Sequence, residues 1–487
     1  MGSASPSPKG HRPLNRSRRA LPARALGASV ALAALLPVEA AHADIALTDP
    51  AKTDGWEVKT SGQVNAYASY IFGDTINRSG LGNLVNPAVD PSTRYRLVGP
   101  QVDIKGNPTP SGAMASPVND TDVGTFRLRG GFASTILNFM VGKQLLTDLR
   151  LDIKLGLWAG IDNALNPQAG NVRQKNDVAA VDWREQFVDL SGSWGTFWGG
   201  RKLGLYNRGG MRMNWFLMHQ HGVGHPCNVD SSGTAQCGHT GVGSMFPNRN
   251  AQLGYATPDV AGLQLSVAMF DGAMIADQWN RTPLPRFEAE ATFKKPLGGN
   301  KDYPDEINVW ANGLTQTVGR VQEVAPQPSL DPMLLGHPGV PADKTINVWG
   351  VGGGAWGRFG GFGIGATGWY GAGLGTATPF GNTAVDDIGE LRKHFGYLAI
   401  ANFRIDKFEV AASYGSTNVQ ETDWDKYPGN QDKISVIKQV RGIGGKIAYY
   451  VAPPVVFSID GLNVNHTWWR GETQTANVVS AGLVAKW

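Results

Sequence analysis

The chain closes on ANVVSAGLVAKW, residues 476–487. Asn477, Val479, Ala481, Leu483, Ala485 and Trp487 fall on one face of an extended strand, and Ala476, Val478, Ser480, Gly482, Val484 and Lys486 fall on the other. Chain ends are usually polar and frayed. A period-two strand that runs to the last residue and stops on an indole needs a neighbour on each side, because an open apolar edge would pair with other chains. The ending predicts a strand held inside a sheet.

The other end supplies the context. Lys9, Arg12, Arg16, Arg18, Arg19 and Arg24 precede an apolar run from Leu26 to Leu36, followed by Ala41-His42-Ala43 before Asp44. A basic stretch, a short apolar stretch and a small-residue box predict a secretory signal, residues 1–43, cleaved between Ala43 and Asp44. The apolar run has 11 residues, against the ~20 a helix needs to cross a bilayer. The chain carries 44 Lys+Arg and 40 Asp+Glu. Removing the leader's six bases and one acid leaves 38 against 39, so the mature chain is nearly neutral and its charge gives no support to nucleic-acid binding.

Residues 44–487 read as stretches of about ten residues in which apolar and polar positions alternate. Leu149, Leu151, Ile153, Leu155 and Leu157 alternate with Arg150, Asp152, Lys154 and Gly156. Phe287, Ala289, Ala291 and Phe293 alternate with Arg286, Glu288, Glu290 and Thr292. About sixteen such strands are expected, the second near 123–136 and followed by a connection at 137–145. Connections alternate in length. Those at 71–122, 161–180, 206–248, 272–285, 319–343, 373–390 and 419–433 are mostly long, whereas Gly195, Arg358-Phe359-Gly360, Asp406 and Ala452-Pro453-Pro454 are tight.

Long–short alternation is the pattern of an up-and-down barrel crossing an outer membrane. The expected fold is all-β: a closed antiparallel transmembrane β-barrel of about 16 strands, or 18 if a further pair hides in the long first gap. Closure lets the last strand pair with the first and satisfies every backbone group in lipid. Trp56, Tyr70, Trp158, Tyr370, Tyr449 and Trp487 are expected in the two interfacial girdles. A soluble β-sandwich also alternates, but it has no reason to alternate loop lengths.

Two stretches then carry a resemblance. FVDLSGSWGTFWGGRKLG, Phe187–Gly204, resembles the fourth strand, turn and fifth strand of the trimeric general porins of Gram-negative bacteria. NAQLGYATPDVAGLQLSVAMFDG, Asn250–Gly272, resembles the strand pair after that family's constriction loop, and Trp487 is similar to its C-terminal assembly signal. The matches cover about a fifth of the chain. The resemblance implies passive diffusion of small hydrophilic solutes and ions across an outer membrane, a homotrimer in outer-membrane lipid, and no cofactor or enzymatic activity. It also implies a third loop, near 206–248, folded into the lumen. GTFWGGRKLGLYNR resembles sugar-selective porins as well, which keeps that function as an alternative. A barrel hydrolase or adhesin is a more distant one.

The loop offers Arg208, Arg212, His219, His221, His225 and His239, with Asp230 as its acid, and Arg201 and Lys202 end the strand that feeds it. Arg201, Lys202, Arg208, Arg212, His219, His221 and Asp230 are the expected constriction residues. General porins set an acidic loop against a basic wall, and this loop departs from that pattern. Its basic balance predicts weak anion preference, opposed by wall acids such as Glu185, Asp189, Glu288 and Glu290. Cys227 and Cys237, closely spaced in an exported chain, read as a disulfide. A metal site on His219-x-His221, His225-x-Cys227 and Cys237-x-His239 is disfavoured by the intervening Gly and Pro and by thiol oxidation. No GxSxG, HExxH, P-loop or CxxC occurs, and GVGGG at 350–354 lies within a strand pattern.

Overall fold

The computed structural model describes residues 44–73, 123–131, 135–159, 181–219, 228–229, 235–236, 241–275, 279–299, 303–327, 336–376, 379–380, 383–427, 437–469 and 473–487. Sixteen barrel strands run through them in chain order. They are β1 (Glu57–Gly73), β2 (Val123–Arg129 and Thr135–Leu146), β3 (Leu149–Ala159) and β4 (Val181–Gly192). Next come β5 (Gly195–Leu203), β6 (Arg249–Ala256), β7 (Leu263–Phe270) and β8 (Arg286–Gly299). β9 (Pro304–Gly319), β10 (Thr345–Phe359), β11 (Phe362–Ala372) and β12 (Lys393–Ile405) follow. β13 (Phe408–Gln420), β14 (Ile437–Ala452), β15 (Val455–Trp468) and β16 (Thr473–Lys486) complete the wall.

Each strand pairs antiparallel with its sequence neighbour, and β16 returns to β1 from Gln63↔Lys486 to Gly73↔Ala476. The ring is closed. Trp487 adds the final rung, its N–H and C=O exchanging hydrogen bonds of 3.0 Å with Gly62. Below that rung β1 runs on past the end of β16, and there a two-residue strand, Ile45–Ala46, pairs with Lys59–Thr60. It covers the stretch of edge the last strand does not reach.

The second strand corrects the sequence reading. Residues 137–145 are not a connection; they lie in the second half of β2, and the turn is Thr147-Asp148. The two halves of β2 pair with different halves of β1, Val123–Arg129 with Tyr67–Gly73 and Ile136–Gly142 with Glu57–Gln63. The break between them falls after Gly130-Gly131, where the Gly131 N–H donates to Asn65 Oδ1 at 2.7 Å. The expected strand thus continues past these glycines, both halves lying on one neighbour.

Tight turns lie at one end of the barrel. Gly360-Gly361 has φ +57° and +91°, the double left-handed conformation that a two-residue hairpin requires and glycine adopts freely. Outward-facing positions are large and apolar, among them Val267, Phe287, Val351, Ile364, Ile447 and Ile459. Such a belt, continuous around the wall, matches lipid rather than water. Aromatic pairs rim it: Trp349–Tyr370 at 5.6 Å and Tyr397–Tyr414 at 6.2 Å toward the long loops, and Phe408–Tyr449 at 4.9 Å toward the turns. Trp158 is not among them. It points inward, between the guanidinium groups of Arg184 and Arg249 at 4.6 and 4.3 Å.

The two ends make a direct prediction. In a protein with Cys227 and Cys237 replaced by serine, Asp423→Cys at the long-loop end should react with an impermeant maleimide on intact cells. Val260→Cys, exposed in a tight turn, should react only after the membrane is opened. Labelling of Val260→Cys on intact cells would reverse the topology.

Candidate functional site

After β5 the chain turns into the barrel. The N–H groups of Leu205 and Tyr206 donate to Glu288 Oε2 at 2.7 and 2.9 Å, a carboxylate on the inward face of β8. Asn207 takes the left-handed conformation, φ 59°, and its side-chain amide donates to the Met245 carbonyl at 3.0 Å. That joins the outgoing and returning legs of the loop. Helix α1 (Arg208–Asn214) follows and passes into a π-helical turn, Trp215–His219. Arg208 is tied to Glu290 of β8, with Nε at 2.9 Å.

The buried face of this loop is apolar: Met213, Leu217 and Met218 pack with Trp310, Trp356, Leu398 and Ile400 of the wall. The wall makes room by giving up side chains. A Cβ on Gly365 would lie 2.8 Å from the Met213 sulfur, one on Gly363 2.8 Å from Leu217, and one on Gly350 2.7 Å from the Tyr206 hydroxyl. Gly350, Gly363 and Gly365 are thus part of a seat for the loop. On the returning leg, Gly243 (φ +77°) accepts from Trp369 Nε1 at 3.1 Å and donates to Thr417 Oγ1 at 3.0 Å.

At the long-loop end a second apolar cluster ties connections together. Tyr206 and Met245 of the folded-in loop meet Ile275 and Trp279 after β7, Val340 before β10, and Leu374 and Phe380 after β11. Arg392 clamps the next pair of loops, donating from Nε and Nη2 to Asp425 at 2.7 and 2.8 Å. Burial raises the neighbouring Asp386 carboxyl above the ordinary range; it accepts from the Thr422 hydroxyl at 2.6 Å.

The expected constriction residues have different fates. Lys202 is buried and bridges Asp189 at 2.8 Å. Arg208 is neutralised by Glu290. Arg201 sits on the outward-facing row opposite Gln186 and Ala251, 46% exposed and 3.9 Å from Asp182. Arg212 lies on α1, its guanidinium lowered to about 10 by burial and by Arg208 beside it, and so still charged at neutral pH. His219 ends the π-helical turn. His221, His225, Cys227, Asp230, Cys237, His239 and Ala43 lie outside the described residues. All four wall acids face inward and are engaged, Glu185 by both Lys154 and Arg249 at 3.0 Å and Glu288 by Arg286 at 2.9 Å. Among the described residues no cluster of His, Cys, Asp or Glu could hold a metal ion.

No family model matches the sequence, and no curated protein matches it. The outer membrane channel DcaP of Acinetobacter baumannii superimposes with a TM-score of 0.55 at 14% identity, over 89% of this chain and 98% of that one. The chain has the porin fold. OmpF of Salmonella typhi, solved with daunomycin, aligns at 13% identity and a TM-score of 0.49, over 91% of this chain and all of its own length. Within this porin-type barrel, sequence reading missed the inward-facing Arg358, Arg404, Glu409 and Lys446. Strand parity alone would have put them in the lumen, because each alternates with an outward apolar neighbour.

Proposed function

We propose that the chain is an outer-membrane porin through which small hydrophilic solutes and ions diffuse passively. The observation that carries this reading is the two described legs of the loop near 206–248, residues 206–219 and 241–248, packed inside a closed barrel and fixed to inward-facing carboxylates, with an exterior made for lipid. Passage is then limited by the cross-section left beside the loop and by the charges lining it. The tight turns face the periplasm and the long loops the outside. The sugar-selective alternative is less favoured, because Trp310, Trp356 and Trp369 are covered by the loop and unavailable as a slide for pyranose rings.

The same reading includes a cleaved signal at residues 1–43, assembly as a homotrimer and a Cys227–Cys237 disulfide. Asn228 and Gln236, the residues just inside the cysteines, pair in two short antiparallel strands, which supports the cross-link; peptide mapping under non-reducing conditions checks it. A ring of this size would stiffen the loop by roughly 2–3 kcal/mol.

Purified protein added to a planar bilayer should give stable, discrete conductance steps without any substrate. Hydrolytic activity on a lipid or peptide, without conductance, would replace the porin reading by an enzymatic one.

A further inference from the structure

At the loop root and its wall, Lys202, Arg208, Arg249 and Arg286 each end on a carboxylate. The inward face near the tight turns is different. Arg358 on β10, Arg404 on β12, Lys446 on β14 and Lys486 on β16 occupy inward positions on alternate strands. Glu409 stands among them, but Lys446 Nζ at 2.6 Å and the Tyr450 hydroxyl at 3.0 Å already donate to it. Glu306, opposite Arg358 in register, is engaged by Lys294 at 2.9 Å. Asp460, opposite Lys446 across the β14–β15 pair, has a contact of its own. Arg358, Arg404 and Lys486 have no carboxylate partner among the described residues.

Aromatic rings hold the two guanidinium groups instead. Arg404 lies 4.5 Å from the Tyr303 ring and 3.7 Å from the Tyr450 ring, and its Nε is buried without a partner. Arg358 lies 5.6 Å from Trp356, which also stacks on Phe216 of the loop at 5.4 Å. One Arg358 nitrogen reaches the Phe216 carbonyl at 3.5 Å. A guanidinium stacked on a ring is oriented by its face, which leaves its edge donors for an acceptor in the same plane. Two such forks suit the paired oxygens of a carboxylate or phosphate. Cations taken out of bulk water without a partner are costly, and an arriving anion relieves that cost.

We propose that Arg358, in reach of Phe216 in the loop's π-helical turn, and Arg404 form an anion-binding station for solutes that carry a carboxylate or a phosphate. The station rests on the pore reading and gives it a selectivity element. It lies on the wall, where the sequence pointed to the loop.

The test uses the whole protein in planar bilayers under a KCl gradient, with inorganic phosphate or acetate added on the periplasmic side. The wild type should favour chloride, and each added anion should reduce the chloride current saturably. Arg358→Gln/Arg404→Gln should lose the preference and raise the half-blocking phosphate concentration about tenfold or more, because charge-assisted hydrogen bonds are removed. Arg358→Lys/Arg404→Lys keeps the charge but not the planar fork. It should keep the reversal potential and lose most of the block, and it serves also if the glutamine variant fails to assemble. Conducting wild-type channels that neither anion blocks, or glutamine or lysine variants blocked like wild type, would overturn the station and leave the porin reading intact. A wild type that forms no channels would overturn both.

Discussion

Glu288→Ala should release the root of the folded-in loop and give a larger, noisier channel. Glu288 accepts the backbone N–H groups of Leu205 and Tyr206 and pairs with Arg286, all in a buried site. Truncation leaves two backbone donors and one guanidinium without a partner. Removing one member of a buried ion pair typically costs ~3–5 kcal/mol, which would move the loop's attachment equilibrium by more than about a hundredfold at 1.4 kcal/mol per decade. The sixteen-strand ladder does not depend on this carboxylate, so the barrel should still form. Glu290→Gln, which weakens the tie to Arg208 but keeps a hydrogen-bonding group, should give a milder version. Single-channel conductance and current noise decide the matter. A Glu288→Ala channel with wild-type conductance and noise would mean that the apolar seat alone holds the loop.

Removing Trp487 should impair closure of the ring more than synthesis or export. Its backbone supplies the two hydrogen bonds to Gly62 that end the β16–β1 ladder, and its indole lies across Gly62, where a Cβ would come within 2.6 Å of the ring. The loss is roughly 1 kcal/mol for each hydrogen bond and a further ~1–2 kcal/mol for the covered indole. This loss falls on the seam where a barrel can open. Deletion should lower the yield of heat-modifiable barrel in the outer membrane by about tenfold or more, as expected for a loss above 1.4 kcal/mol. Gly62→Val, which drives a side chain into the space of the indole, should produce the same defect with Trp487 present. Normal assembly of both variants would assign closure to the rest of the ladder.

The sequence by itself determined the wall. Strict alternation from Leu149 to Leu157 or from Phe287 to Phe293 needs one wet and one apolar face, and a period of two is a property of the strand alone. The final ANVVSAGLVAKW required a partner on each side, and pairing with β1 supplies it. Parity also fixed which of Glu288 and Phe287, or Lys486 and Leu483, would face inward. Tertiary structure decided what parity cannot reach. Residues 137–145 read as a connection until β1 is there to carry both halves of β2. Trp158 reads as a girdle residue until Arg184 and Arg249 close on its two faces. Gly350, Gly363 and Gly365 have no local reason to be small; a side chain there would meet Tyr206, Leu217 or Met213 of a loop from far earlier in the chain. Above all, the free charge of the lumen depends on distances between side chains on different strands. Arg208 is basic in sequence but neutralised once Glu290 lies beside it. Arg358 and Arg404 are ordinary in sequence; the barrel sets rings beside them and, among the described residues, no carboxylate in ion-pair contact.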